Sequence, residues 1–126
     1  MLLELDFSHE TPIYLQIRNQ VVMGIADGRL AAGERLPTIR ALAREAGINM
    51  MTANKAYALL KQEGYIQTDR RSGVTVRAEL KSGGAVPDRI RSGLRLLIAE
   101  AKLGGAERRA LLDLCGQIYD EMEETE

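Results

Sequence analysis

The sequence is poor in the residues that build covalent or metal-bound sites. It contains one cysteine, Cys115, and one histidine, His9, in 126 residues. A lone cysteine cannot form an internal disulfide, and the two residues together supply neither a zinc cluster nor a Cys/His nucleophile. We therefore expect no metal site, no cofactor and no enzyme activity, and we interpret Cys115 as a small buried apolar residue.

Aromatic side chains and long apolar runs are also scarce. Aromatic residues make up 4% of the chain and tryptophan is absent, which argues against single-strand nucleic-acid binding by rows of stacking rings. No apolar run reaches the roughly 18 residues of a membrane span, and the start MLLELDFSHE is acidic where a secretory signal is basic. The sequence therefore predicts a cytoplasmic protein with no membrane partner.

The net charge of -1 conceals an uneven distribution along the chain. Residues 35–77 contain eight Lys or Arg residues against three acids, whereas residues 100–126 contain three against eight and end in DEMEETE. Because local field steers a polyanion more than total charge does, the basic segment is compatible with nucleic-acid binding. Scattered bases are also usual on a solvated surface, so charge alone leaves both interpretations open.

The first part of the chain predicts three helices. Thr11 before Pro12 is a good helix start, and an apolar residue at every fourth position from Ile13 to Ile25 gives one buried stripe. Thr38 then caps a short second helix that Gly47 ends with a left-handed residue. Asn49 caps a third helix that runs to about residue 63, and the tight glycine turn makes the pair a helix-turn-helix candidate.

A small β-hairpin is predicted after Gly64. The segments YIQT (65–68) and VTVR (74–77) have strand composition, and DRRSG joins them. A hairpin with two adjacent arginines and a glycine near its tip is typical of a basic wing. Periodicity is lost in AELKSGGAVP, so we place a linker at 78–87 between a winged helix-turn-helix domain (1–77) and a region of two helices with an acidic tail (88–126).

Helical apolar spacing resumes in the second region and breaks at GGA (104–106). The two helices form a hairpin too small to bury its apolar faces alone, so a second copy of the chain is the expected cover. The predicted dimerisation residues are Ile90, Leu94, Leu97, Leu111, Leu114, Cys115, Ile118 and Met122. The predicted fold is thus mainly α with a small β wing, followed by a short α-helical dimerisation hairpin.

Residues 12–77 resemble the DNA-binding domain of GntR-family bacterial transcription regulators. The resemblance lies in PIYLQI (12–17), AAGERLPTIRALAREAGI (31–48), TANKAYALLKQEGYI (52–66) and RRSGVTV (70–76). The start DFSHETPIYLQI, the triplet KAY and the short tail with IAEAKLGGAERRALLDL are most similar to the YtrA-type branch. That resemblance implies a dimeric regulator, commonly a repressor, which binds double-stranded DNA.

The resemblance assigns the second helix, the first turns of the third helix and the wing to the DNA. Helical geometry agrees, because Ala53, Ala56, Tyr57 and Leu60 form the inward stripe of the third helix. We expect Asn54 to pair with adenine, Arg40 to read guanine or grip a phosphate, and Lys55 to contact phosphate. The predicted DNA-binding residues are Thr38, Arg40, Asn49, Met50, Met51, Thr52, Asn54, Lys55, Arg70, Arg71, Ser72 and Gly73.

Met50 and Met51 depart from the family pattern, which commonly has a basic or small polar residue, or Asn-Pro-Asn, at this place. Thioethers can lie against thymine methyl groups, so we predict readout biased toward A·T pairs. The alternative is that both side chains fold back against the wing or the first helix. Arg18, Arg29 and Arg77 lack support from a motif and are interpreted as surface residues.

The sequence therefore predicts a homodimeric, sequence-specific DNA-binding regulator, most simply a repressor that binds a near-palindromic operator. An adaptor that uses the same arginines to bind an acidic protein partner is the alternative. A small-molecule effector is compatible with the sequence, but no residue of the helical tail has the character of a ligand anchor.

Overall fold

The computed structural model describes residues 1–77 and 83–123. These residues fall into two compact units, one containing residues 1–77 and the other residues 83–123. Residues 78–82 of the predicted linker and the last three residues of the acidic tail lie outside the described residues. The first unit carries three helices and a two-stranded sheet, and the second carries two helices.

Helix α1 (Ile13–Ala26) is the first helix of the first unit. Its predicted apolar stripe is confirmed, since Ile17, Val21 and Ile25 are buried. The predicted role of Thr11 as cap is wrong: Pro12 occupies the N-cap position and no side-chain capping hydrogen bond forms there. The Pro12 carbonyl accepts from the amides of residues 15 and 16, so the turn closes on main-chain atoms instead.

Helices α2 (Ile39–Ala46) and α3 (Met50–Gln62) form the predicted helix-turn-helix. The Thr38 side chain accepts from the Ala41 amide at 3.0 Å and the Asn49 side chain accepts from the Thr52 amide at 2.8 Å. Gly47 has φ 69° and ψ 37°, the left-handed conformation that glycine adopts without steric cost. Local sequence signals therefore set both helix starts and the turn between them.

The predicted wing is an antiparallel pair of strands, β1 (Ile66–Asp69) and β2 (Gly73–Val76), with Ile66 opposite Val76 and Asp69 opposite Gly73. The bounds differ by one residue from the prediction. An isolated bridge between Arg35 and Thr75 adds a third segment on the other side of β2. The wing is thus anchored to the turn that precedes α2.

One apolar core holds these elements together. It includes Ile17 and Val21 of α1, Leu42 of α2, Leu60 of α3 and Val76 of β2, all nearly or fully buried. Because every element of the first unit contributes to this core, the positions of α3 and the wing are fixed relative to each other.

An ion pair joins α1 to the residue that caps the carboxy-terminal end of α3. Arg18 donates through Nε to Glu63 Oε1 at 2.8 Å and through Nη2 to Glu63 Oε2 at 2.9 Å. Both side chains are less than a fifth exposed, at 16% and 18%. The guanidinium also lies 5.7 Å from the centre of the Tyr65 ring. The prediction that Arg18 is an unsupported surface residue is therefore wrong.

The amino-terminal arm (residues 1–11) is held on α1 by two glutamines. The Gln20 side chain accepts from the Glu4 amide at 2.8 Å and donates to the Glu4 carbonyl, and Gln16 bonds Asp6 in the same reciprocal manner. Leu3 and Leu5 pack against the core from the arm. The arm is therefore bound by hydrogen bonds to its main chain.

The second unit consists of helices α4 (Asp88–Leu103) and α5 (Arg108–Glu123), neither of which contains a buried residue. Most of their large apolar side chains are exposed, and so is Cys115. The interpretation of Cys115 as buried is wrong for the single chain, because no described residue covers its side chain. No helix within the described residues is long and apolar enough to cross a membrane.

Candidate nucleic-acid interface

Helix α3 presents one buried side and one open side. The inward residues Ala53, Ala56, Tyr57 and Leu60 are buried as predicted. The Tyr57 hydroxyl donates to the Pro37 carbonyl at 2.7 Å, and burial, followed by the nearby Glu45 charge, raises the pKa of that phenol. Tyr57 therefore stays neutral and fixes α3 against the segment that leads into α2.

The open side of α3 begins with the two methionines. Met50 is 48% exposed and Met51 is 82% exposed. Met51 therefore does not fold back against the wing or α1, and Met50 is about half exposed. Asn54 and Lys55 are exposed on the next turn, whereas Thr52 is half-buried. This exposed row joins apolar thioethers, an amide and an ammonium group on one helix.

Lys55 is positioned by an aromatic ring of α1. Its Nζ lies 4.1 Å from the centre of the half-buried Tyr14 ring. A cation over a ring face is attracted by the ring quadrupole, so the ammonium is held at the α1 side of α3. The spacing of the sequence did not reveal this contact, because the two residues are 41 positions apart.

The capping residues keep donor groups available. The Thr38 and Asn49 side-chain oxygens each accept a helix amide. A hydroxyl proton on Thr38 and the amide group of Asn49 remain able to donate. Both residues are exposed, and both stand at the amino-terminal ends of helices, where anions are favoured.

The wing tip (residues 70–72) presents two arginines and a serine to solvent. Asp69 shapes this turn, since its Oδ1 accepts from the Arg71 amide at 2.7 Å. Gly73 closes the turn with φ +71°, a conformation that side chains rarely adopt. The tip therefore has a defined backbone that projects its arginines outward.

The predicted arginines lack a side-chain partner among the residues that the structure describes. Within residues 1–77 and 83–123, the side chains of Arg40, Arg70 and Arg71 make neither an ion pair nor a hydrogen bond. In contrast, Arg18 and Arg29 are paired with carboxylates. The unpaired guanidinium groups thus lie on α2 and at the wing tip, where their donors are free for an external anion.

A groove of about 440 Å³ separates α3 from the wing. Asn54 and Lys61 line it on the helix side, and Thr68 and Val74 line it on the wing side. Asn54 is thus placed where α3 faces the wing. The described residues contain no group of three or more His, Cys, Asp or Glu side chains that could hold a metal ion.

Arg35 is the residue of this region that the sequence analysis missed. Its Nε and Nη2 lie 3.5 Å from the point where a Cβ at Gly73 would stand. The contact depends on the bridge to Thr75, across 40 positions of sequence. No local pattern of the sequence indicated that this segment would pair with β2.

Comparison with known proteins agrees with this geometry. Residues 13–76 match the family model described as bacterial regulatory proteins, gntR family. The transcriptional repressor YtrA of Bacillus subtilis is 32% identical over 112 residues, which cover 87% of this chain and 86% of that protein. A transcriptional regulator of Mycobacterium tuberculosis is 35% identical over 74 residues, 59% of this chain and 61% of that protein.

A solved structure extends the similarity over both units. It is YtrA from Sulfolobus acidocaldarius, a GntR-family transcription factor, with 34% identity and a TM-score of 0.60. The match covers 94% of this chain and 97% of that chain. The mainly helical fold with a small β wing is therefore shared with this protein.

Proposed function

The chain belongs to the GntR family of bacterial regulatory proteins and to its YtrA-type branch, and from this premise we propose that it represses transcription as a homodimer on a near-palindromic operator. It is a DNA-binding transcription regulator with a winged helix-turn-helix domain. The proposal adds the repressor role, the dimer, the form of the operator and the residues that contact it.

The observation that carries the proposal is the open side of α3 beside unpaired arginines. An α-helix fits the major groove of B-DNA, where side chains can reach base edges. The arginines of α2 and the wing tip have free donors suited to phosphates. A major-groove helix with phosphate contacts beside it explains why these charges lack internal partners.

Roles follow from chemistry at each position. Asn54 pairs with adenine through its amide, and Met50 and Met51 lie against thymine methyl groups. Arg40 reads guanine or binds phosphate. Lys55 binds phosphate from its place over Tyr14. The remaining contacts to the sugar-phosphate backbone come from Thr38, Asn49, Thr52, Arg70, Arg71, Ser72 and Gly73.

The exposed apolar faces of α4 and α5 support a homodimer. The residues predicted for dimerisation include Ile90, Leu94 and Ile118, which are 40%, 41% and 44% exposed in the single chain. Apolar surface of this extent on two helices without a buried residue requires a cover. A second copy supplies the same faces by two-fold symmetry, and two-fold symmetry in turn calls for two operator half-sites.

The remaining assignments follow from this role. The protein acts in the cytoplasm, where the bacterial chromosome lies, and it performs no catalysis, since the relatives it matches are named as regulators. Repression is supported by the name of the Bacillus subtilis relative. The small-molecule effector stays a prediction of the sequence and is assigned no site.

The direct test is selection of bound duplexes from a random pool, followed by anisotropy titration of the enriched sequence at several salt concentrations. We expect an inverted repeat and an affinity that falls steeply with salt, because each phosphate contact releases counterions. An Arg40→Gln variant should bind more weakly, and the matched Arg29→Gln variant should bind as the wild type does.

Failure to enrich any duplex over several rounds would contradict the proposal. Retention on heparin without duplex binding would then favour the protein-interaction adaptor. Enrichment of a single half-site by a monomer would overturn the dimer while leaving DNA binding in place.

A further inference from the structure

We propose that Arg35 is an additional DNA-contacting residue, which binds a backbone phosphate beside the wing tip. The proposal rests on the proposed function, because the ligand is a phosphodiester group of the bound duplex. It assigns a role in binding to the segment before α2, where the sequence predicted no DNA-contacting residue.

Main-chain hydrogen bonds join residues 34–36 to β2 of the wing. The Leu36 amide donates to the Val74 carbonyl at 2.8 Å, and the Val76 amide donates to the Glu34 carbonyl at 2.8 Å. Arg35 lies between these two bonds, in the bridge with Thr75. Residues 34–36 therefore pair with the free edge of β2 through this isolated bridge.

The strand register determines on which face of the wing the Arg35 side chain lies. Thr75 lies opposite Gln67, and Gly73 lies opposite Asp69. Since alternate residues share a face of a sheet, these four residues form one face, which we call the outer face of the wing. The Arg35 guanidinium extends along this face to Gly73, with Nε and Nη2 at 3.5 Å from the Cβ position. It thus reaches the residue that closes the wing tip.

The charges around this guanidinium favour an external anion. The neighbouring charged residues are Arg70, Arg71 and Asp69, and the Asp69 carboxylate already accepts the Arg71 amide. Within residues 1–77 and 83–123, Arg35 makes neither an ion pair nor a side-chain hydrogen bond. A phosphate is the external anion that the free donors of this guanidinium can bind.

Arg77 offers a matched control at the opposite end of the hairpin. It is also exposed, and its Nη1 lies 3.2 Å from the Cβ position of Gly64. Both arginines therefore lie against a glycine of positive φ. They differ in position, because Arg77 follows the last residue of β2 and lies away from the tip.

The test measures binding of the selected duplex over a salt series for Arg35→Gln, Arg35→Lys and Arg77→Gln. For Arg35→Gln we expect the slope of log affinity against log salt to become shallower by about 0.9 per subunit, the value for one lost phosphate contact. Arg35→Lys should keep the wild-type slope, as should Arg77→Gln. The thermal unfolding midpoint of each variant is measured in parallel.

An Arg35→Gln variant with the wild-type slope would overturn the inference, whether or not its affinity changed. Weaker binding at an unchanged slope, with a lower unfolding midpoint, would show that the residue only supports the wing. A wild-type protein that enriches no duplex would refute the proposed function first, so the two failures are distinguishable.

Discussion

At the scale of single residues, the pair of Arg18 and Glu63 shows how position decides the value of an ion pair. Two parallel hydrogen bonds join side chains that are mostly buried, and they link α1 to the end of α3. The pairing holds the pKa of the Arg18 guanidinium above its ordinary value, chiefly through the hydrogen bond to Glu63. Arg29 and Asp27 form a pair of similar length, in which the Arg29 side chain is 62% exposed and the Asp27 side chain is 20% exposed.

We expect Arg18→Ala to lower the free energy of unfolding by about 1 to 3 kcal/mol, because it removes two charge-assisted hydrogen bonds between side chains that are less than a fifth exposed. Urea denaturation measures the change. Arg29→Ala should cost less than about 0.5 kcal/mol, because the Arg29 guanidinium is mostly exposed and screened by solvent. Equal losses for the two variants would contradict this account.

Met50 is the residue whose replacement should alter sequence preference. Met50→Arg exchanges an apolar contact for a guanine-reading fork, so selection of bound duplexes should yield a different base in each half-site. The preference should change more than the salt dependence does. The matched variant is Met23→Arg, since Met23 is an exposed methionine on α1. An unchanged preference for Met50→Arg would refute a groove contact for this side chain.

At the scale of elements, the turn at Gly47 fixes the angle between α2 and α3. Its left-handed conformation costs an alanine roughly 1 kcal/mol. We expect Gly47→Ala to lower the free energy of unfolding by about that amount and Gly47→Asn to lower it less, since asparagine tolerates this conformation. Urea denaturation of both variants tests the difference, and an alanine variant as stable as the wild type would contradict it.

The elements also show what the sequence could predict. The caps at Thr38 and Asn49 and the stop at Gly47 act within four residues, so their local patterns predicted α2, α3 and the turn. The contact of Arg18 with Glu63 and that of Lys55 with Tyr14 join residues 45 and 41 positions apart. Such contacts depend on how helices pack, which apolar periodicity alone does not specify.

For the candidate site too, features set by local sequence were predicted and features set by long-range pairing were not. The open side of α3 and the exposed wing tip agree with helical and hairpin periodicity. The bridge between Arg35 and Thr75 was not predicted, because pairing across 40 positions leaves no local pattern in the sequence. For the same reason Arg35 was absent from the predicted contacts.

At the scale of the whole molecule, the second unit leaves large apolar side chains of α4 and α5 exposed in the single chain. Leu94 lies on the predicted stripe of α4 and is 41% exposed, whereas Leu103 lies on the opposite side of that helix and is 88% exposed. If a second copy covers the stripe, only Leu94 becomes buried. Substitutions at Leu94 and Leu103 therefore distinguish an effect on the predicted interface from an effect elsewhere on α4.

We expect Leu94→Glu to convert the dimer to monomer and to weaken operator binding, because a monomer engages one half-site at a time. Leu103→Glu introduces the same charge on the same helix and should leave the dimer intact. Sedimentation equilibrium measures the oligomeric state of each variant. A dimeric Leu94→Glu variant would contradict the assignment of this stripe.

The two glutamines of α1 have a consequence for how this protein can change over evolutionary time. Gln16 and Gln20 bond the amides and carbonyls of the arm, which every residue type except proline supplies. Exchange of the Glu4 or Asp6 side chain therefore leaves these bonds in place. Descendants of this chain that retain both glutamines keep these bonds when Glu4 varies, whereas exchange of Asp6 also removes the hydrogen bonds that its carboxylate accepts from the Ser8 amide and hydroxyl.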